Sequence, residues 1–185
     1  MNESVEMNIE KADYGTIVIF GTLKDLQEKM RLSHASVSDL VNWRRDCDGA
    51  SLLEVSLAHR KFEISKYLLD NNADVNVVTA DGYNEFHFLA PNINLNEAIT
   101  VGKLLLGKNV SVMQKDAKYG NTAFFSLCLE SFKGRSPAVM EFIQECLRKV
   151  TSVDETNKAG FSIRSLINER GNKQLKEQLK VVPLE

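Results

Sequence analysis

The cysteines and histidines, the types best suited to zinc ligation or Cys–His nucleophilic chemistry, are Cys47, Cys128, Cys146, His34, His59 and His87. Zinc ligation needs such residues in tight pairs, and a disulfide framework needs cysteines in even number. The cysteines are three and show no CxxC spacing, while His34 and His59 have no Cys or carboxylate at ligand distance along the chain. Cys128 and Cys146 sit inside apolar patterns, where cysteine serves as a small hydrophobe. No Gly-rich phosphate loop, GxSxG, HExxH or locally supported Cys–His pair occurs. A catalytic reading would therefore need a dispersed constellation of residues. Lys and Glu at helical spacing in "GTLKDLQEK" describe a solvated helix face instead.

Residues suited to recognition are better grouped. Trp43, Arg44 and Arg45 set one large ring beside two guanidinium groups, and both types are enriched at energetic hot spots of interfaces. The competing reading has Trp43 folded back over the exposed core of the chain's opening segment, with both arginines solvated. Tyr83 and Asn121 each follow a glycine directly, and Tyr119 precedes one, in "QKDAKYGN" with Lys115 and Lys118. Tyr gives contact area at small entropic cost. Packing between adjacent turns is the alternative for these positions.

The elements that carry these residues recur. Gly49, Gly82, Gly120 and Gly160 are separated by 33, 38 and 40 residues, and each is followed, after one intervening residue, by Ser51, Asn84, Thr122 or Ser162. Such a residue accepts a bond from the free N–H groups of the helix it opens. A second helix follows with apolar residues at helical spacing. These are Phe62, Ile64, Tyr67, Leu68 and Leu69; then Ala98, Val101, Leu104 and Leu105; then Val139, Phe142, Ile143, Cys146 and Leu147. Helices this short cannot bury their faces alone, so neighbouring pairs must stack.

The segment "DGASLLEVSLAHRKFEISKYLLDNNADVN", Asp48 to Asn76, resembles an ankyrin repeat, and "GNKQLKEQL", Gly171 to Leu179, resembles the second helix of a closing repeat. The resemblance implies an all-α fold, an ankyrin-repeat solenoid of about five helix-turn-helix units with short β-hairpin loops. The units fall near 13–47, 48–80, 81–118, 119–157 and 158–180, within a single domain 13–180. Residues 1–12 form an acidic tail or partial cap, and 181–185 a C-terminal tail. Asn72 and Asn109 stand where the family favours Gly, a place needing the left-handed backbone that Asn tolerates.

The same resemblance places hairpin tips near 42–47, 77–80, 114–118 and 155–158, on a concave surface shared with the first helices. His87 takes the place of the family's TPLH histidine, whose ring ties one repeat to the next. Extra residues lengthen two units between their helices, at "APNINLN", Ala90 to Asn96, and "SFKGRSP", Ser131 to Pro137. Stacking would set these insertions side by side as a raised rim carrying Asn92, Asn94, Asn96, Lys133 and Arg135. The first unit also has a long connector, Ser33 to Leu40.

By resemblance the activity is noncatalytic protein binding, in a chain that needs no cofactor and is a monomer alone. Small stacks of this type resemble bacterial ankyrin proteins encoded beside secreted toxins, many of which are immunity proteins. A regulatory or host-directed adaptor is the alternative. The formal charge of -2, with no Lys/Arg run longer than two, gives no footprint for nucleic acid or an anionic membrane. The apolar run Ile17 to Phe20 is too short to span a bilayer and lacks a basic flank, so the expected compartment is the cytoplasm.

Overall fold

A computed structural model describes residues 7–180 and 182. Residues 1–6 of the expected acidic tail, and 181 and 183–185 of the expected C-terminal tail, lie outside the described residues. The chain is mostly helical and divides into two compact units, one up to Asp74 and one from Val75 onward.

The first unit contains α1 (Tyr14–Phe20), α2 (Leu23–Ser33), α3 (Val37–Val41), α4 (Leu52–Ala58) and α5 (Phe62–Asp70). Helix α1 packs on α2 and on α4, and α4 packs on α5, so two helix pairs lie side by side. Their turns are tied directly, because Lys61 Nζ donates to the Gly21 carbonyl at 2.7 Å. The expected connector from Ser33 to Leu40 is partly helical instead. Ser36 caps α3 and Asp39 returns a bond to the Ser36 N–H at 2.7 Å, a capping box that stabilises even a five-residue helix.

The second unit contains α6 (Glu85–Leu89), a 3-10 turn (Ala90–Asn92), α7 (Asn96–Gly107), α8 (Ala123–Gly134), α9 (Pro137–Leu147), α10 (Ile163–Arg170) and α11 (Lys173–Leu179). Here α8 touches α6 on one side and α10 on the other, while α9 touches α7 and α11. First helices thus lie against first helices and second against second. Phe86, Phe124 and Phe142 are fully buried among them, each worth about 1.5–3 kcal/mol of transfer free energy. The second row runs close: a Cβ on Gly102 of α7 would stand 2.7 Å from Phe142 Cζ of α9. Only glycine fits there without moving the ring.

Local chemistry explains the repetition. Gly49, Gly82, Gly120 and Gly160 all take φ between 69° and 81°, the left-handed region that costs other residues about 1–2 kcal/mol. The N–H groups of Glu54, Phe125 and Ser165 donate to the hydroxyls of Ser51, Thr122 and Ser162 at 3.1–3.2 Å. Asn84 opens α6 by another route: its own N–H donates to His87 Nδ1 at 3.2 Å, and its side-chain amide donates to the Ser111 carbonyl at 2.8 Å. Asn72 and Asn109 both have φ of 59°, as their place after a helix requires.

Two expectations about the helices need correction. The "SFKGRSP" insertion is not a loop: α8 runs on through Gly134, and only Arg135 and Ser136 separate it from α9. Arg135 closes α8 with φ of 58°, and Ser136 and Pro137 start α9 as cap and first residue. Leu104, expected in the apolar stripe of α7, is 41% exposed, because the buried face turns on Ala98, Val101 and Leu105.

Candidate functional site

Hairpin turns prepare the most distinctive surface of the second unit. In each turn a side chain on the incoming arm accepts the N–H of the residue after the glycine. Thr79 Oγ1 takes Tyr83 N at 3.1 Å, Asp116 Oδ2 takes Asn121 N at 2.9 Å, and Asn157 Oδ1 takes Phe161 N at 2.9 Å. Tyr83, Asn121 and Phe161 are therefore equivalent positions. The turns also bond edge to edge, Ala117 N to Asp81 O at 2.7 Å and Lys158 N to Tyr119 O at 2.9 Å. The Asn157 amide adds a bond to Asn121 Oδ1 at 2.7 Å. Lys158 Nζ closes back on the Ala117 carbonyl. The bonded turns carry Tyr83, Asn121 and Phe161 at equivalent places, one after another.

Between the last two turns and the helices α8 and α10 lies an open groove of about 390 Å³. Phe125, Leu129 and Leu166 contribute to its apolar floor, and Tyr119 and Phe161 line it while remaining 53% and 55% exposed. Lys118, Lys158, Glu169 and Arg170 supply its charges. The Lys118 ammonium stands 4.9 Å from the centre of the Tyr119 ring, a cation–π contact. Glu169 and Arg170 are neighbours with carboxylate and Nε 3.3 Å apart. Pre-organised aromatic rings exposed in an apolar hollow are the raw material of a binding hot spot.

The structure sorts the residues expected from sequence. Lys118, Tyr119 and Asn121 come together in this groove. Lys115 stands on the same turn but pairs with Glu155 at 2.6 Å. Tyr83 packs instead, its ring centre 5.3 Å from that of His87 and 6.0 Å from that of Phe88. Burial correspondingly pushes the Tyr83 phenol above its ordinary pKa.

His87 ties adjacent segments. Its Nδ1 lies 2.9 Å from the Asn84 side-chain oxygen and 3.2 Å from the Asn84 backbone nitrogen, and its Nε2 faces the Asn121 carbonyl at 3.4 Å. Burial holds the imidazole below its usual pKa, so it is neutral in this role.

In the first unit, Trp43 lies against α1: a Cβ on Gly15 would stand 2.9 Å from its indole ring. Arg44 donates to the Val41 and Trp43 carbonyls at 3.0 and 2.9 Å and meets Asp74 at 3.3 Å. Arg45 grips Asp48 through two bonds of 2.8 and 2.6 Å. That contact first, against the opposing effect of burial, draws the Asp48 carboxyl down to about 2. Trp43 thus packs within the unit, whereas Arg44 and Arg45 are held by carbonyls and carboxylates and are not simply solvated.

The two insertions do meet. Asn94 donates to the Glu130 carbonyl at 2.9 Å, and a Cβ on Gly134 would stand 2.7 Å from Asn94 Cγ. Asn94, Asn96, Lys133 and Arg135 are exposed on this rim. Asn92 is the exception, only 4% exposed, because the 3-10 turn rotates it into the protein. Lys133 is held by Glu130 at 2.6 Å, and the Arg135 guanidinium sits 5.7 Å from the centre of the Phe132 ring.

Phe161 and Arg170 are not singled out by the sequence, and Lys158 is reached only as the end of the expected tip 155–158. Phe161 was within reach, since it follows Gly160 as Tyr83 follows Gly82. Cys128 and Cys146 are buried and burial raises both thiols, while Cys47 is exposed. Among the described residues no three His, Cys, Asp or Glu side chains converge to hold a metal ion, and no helix is long and apolar enough to cross a membrane. Comparison with protein-family models and with curated proteins gives no match.

Proposed function

We propose that this chain is an ankyrin-type repeat protein that acts without catalysis, by binding another protein in the groove between its last two hairpin turns. The observation that carries this reading is the exposure of Tyr119 and Phe161 on a ribbon whose backbone is bonded from turn to turn. A surface already ordered before binding avoids the cost of fixing loops and side chains on association. The repeated glycine turns, the capped first helices and the row-wise packing support the ankyrin-type assignment. Function is then exerted by occupancy: the partner is masked, or held in one state. An immunity role against a toxin is the form of masking that the sequence resemblance favours.

The test is affinity capture from the source cell with the native chain and with a Tyr119→Ser/Phe161→Ser variant. A protein retained by the first and lost by the second supports the reading, and equal retention refutes the groove. A toxin in a one-to-one complex, its activity blocked by the chain, supports the immunity form. A signalling or metabolic enzyme would point to an adaptor.

A further inference from the structure

We infer that the groove is built for an acidic segment of the partner, anchored by an apolar or aromatic side chain; this rests on the protein-binding reading above. Its floor of Phe125, Leu129 and Leu166 releases water only to an apolar insert. Its charges select among such inserts. Glu169 and Arg170 lie 3.3 Å apart and largely cancel. Lys118 and Lys158 remain, and neither pairs with a carboxylate among the described residues, whereas nearby Lys115 does. The mouth is thus locally positive on a chain whose formal charge is -2.

Cationic inserts are disfavoured, because Lys118 already occupies the field of the Tyr119 ring. A nucleic-acid strand is disfavoured too, since its affinity grows with the number of phosphates neutralised and Glu169 repels them. A peptide with a few carboxylates around one apolar anchor satisfies both floor and mouth. The Lys118 ammonium can reach a carboxylate directly, while Lys158, whose ammonium is seated on the Ala117 carbonyl, adds its positive charge beside the anchor.

Three labelled probes test this on the full chain: a short peptide alternating Asp/Glu with Leu/Phe, the same peptide with Lys for every acid, and single-stranded oligothymidine. The acidic peptide should bind saturably and more weakly as salt rises. Lys118→Glu with Lys158→Glu should weaken it about tenfold and transfer the preference to the Lys-bearing peptide. No saturable binding of the acidic probe, an unchanged preference in the double variant, or tighter binding of oligothymidine would overturn the inference. A captured partner that is lost with Phe161→Ser but indifferent to Lys118→Glu/Lys158→Glu leaves the binding reading standing and ends only this one. A partner indifferent to both changes ends both.

Discussion

The backbone N–H of Lys158 donates to the carbonyl of Tyr119 at 2.9 Å, so the last two hairpin turns of the second unit are bonded edge to edge. Tyr119 and Phe161 consequently line one groove although they stand on different turns. Each ring is more than half exposed, so removing it creates no cavity. Tyr119→Ser with Phe161→Ser should change folding stability by less than about 1 kcal/mol in urea, as surface substitutions do. The same pair should weaken the partner complex by about 2 kcal/mol or more, because anchors of this kind dominate interface energies. Titration of the partner into both proteins checks the second value.

Trp43 behaves oppositely. Its indole covers Gly15 of α1, and it is the one tryptophan of the chain. Trp43→Ala should destabilise the first unit by about 1–3 kcal/mol through lost burial. Partner affinity should remain unchanged. In the native chain, tryptophan fluorescence reports unfolding of that unit alone; circular dichroism serves for the variant.

The contact between Asn94 and Gly134 supports a double-mutant cycle. A Cβ at Gly134 meets Asn94 Cγ at 2.7 Å and displaces the bond from Asn94 to the Glu130 carbonyl. Gly134→Ala alone should be neutral or destabilising by about 1 kcal/mol, since lost contact opposes gained helix propensity. In an Asn94→Ala background the same change should be more favourable than in the native chain by about 0.5–1 kcal/mol, because the amide is gone and only the Cβ of residue 94, 3.3 Å away, still crowds the added methyl. Additive effects in urea melts would show that Asn94 and the end of α8 do not touch.

Much of this architecture is legible in the sequence, and the reasons differ by element. Gly49, Gly82, Gly120 and Gly160 announce their turns because few other residues accept a positive φ. Ser51, Thr122 and Ser162 announce helix starts because a hydroxyl there satisfies free N–H groups. Helix α3 is too short for periodicity to appear, although Ser36 and Asp39 already spell a capping box. The extension of α8 was hidden by Gly134 and Pro137, which read as loop punctuation but close one helix and open the next. The groove floor was invisible for a different reason. Phe125 and Leu129 share a helical face spacing with core residues, and only the positions of the turns decide which apolar side chains are left accessible.

Acid should act on the first unit through Asp48. Arg45 and the Ala50 N–H hold its carboxyl at about 2, below the ordinary 3.8. The native state therefore binds this proton less readily than the unfolded chain. Its contribution is complete above the unfolded pKa and is lost as pH falls through the folded value. With both partners partly solvated, that contribution is about 1–2 kcal/mol. Asp48→Asn should remove it, giving a stability curve flatter than that of the native chain between pH 4 and about 2. Parallel curves for the two proteins would show that the Arg45 contact stabilises nothing.

Hydrogen–deuterium exchange on the partner complex tests the central claim most directly. Binding in the groove predicts new protection at 118–121, 157–161 and 166–170, with exchange at 42–47 and 92–96 unchanged. Protection confined to the Trp43 turn or to the Asn94 rim, with the Tyr119 and Phe161 turns exchanging as in the free chain, would contradict it.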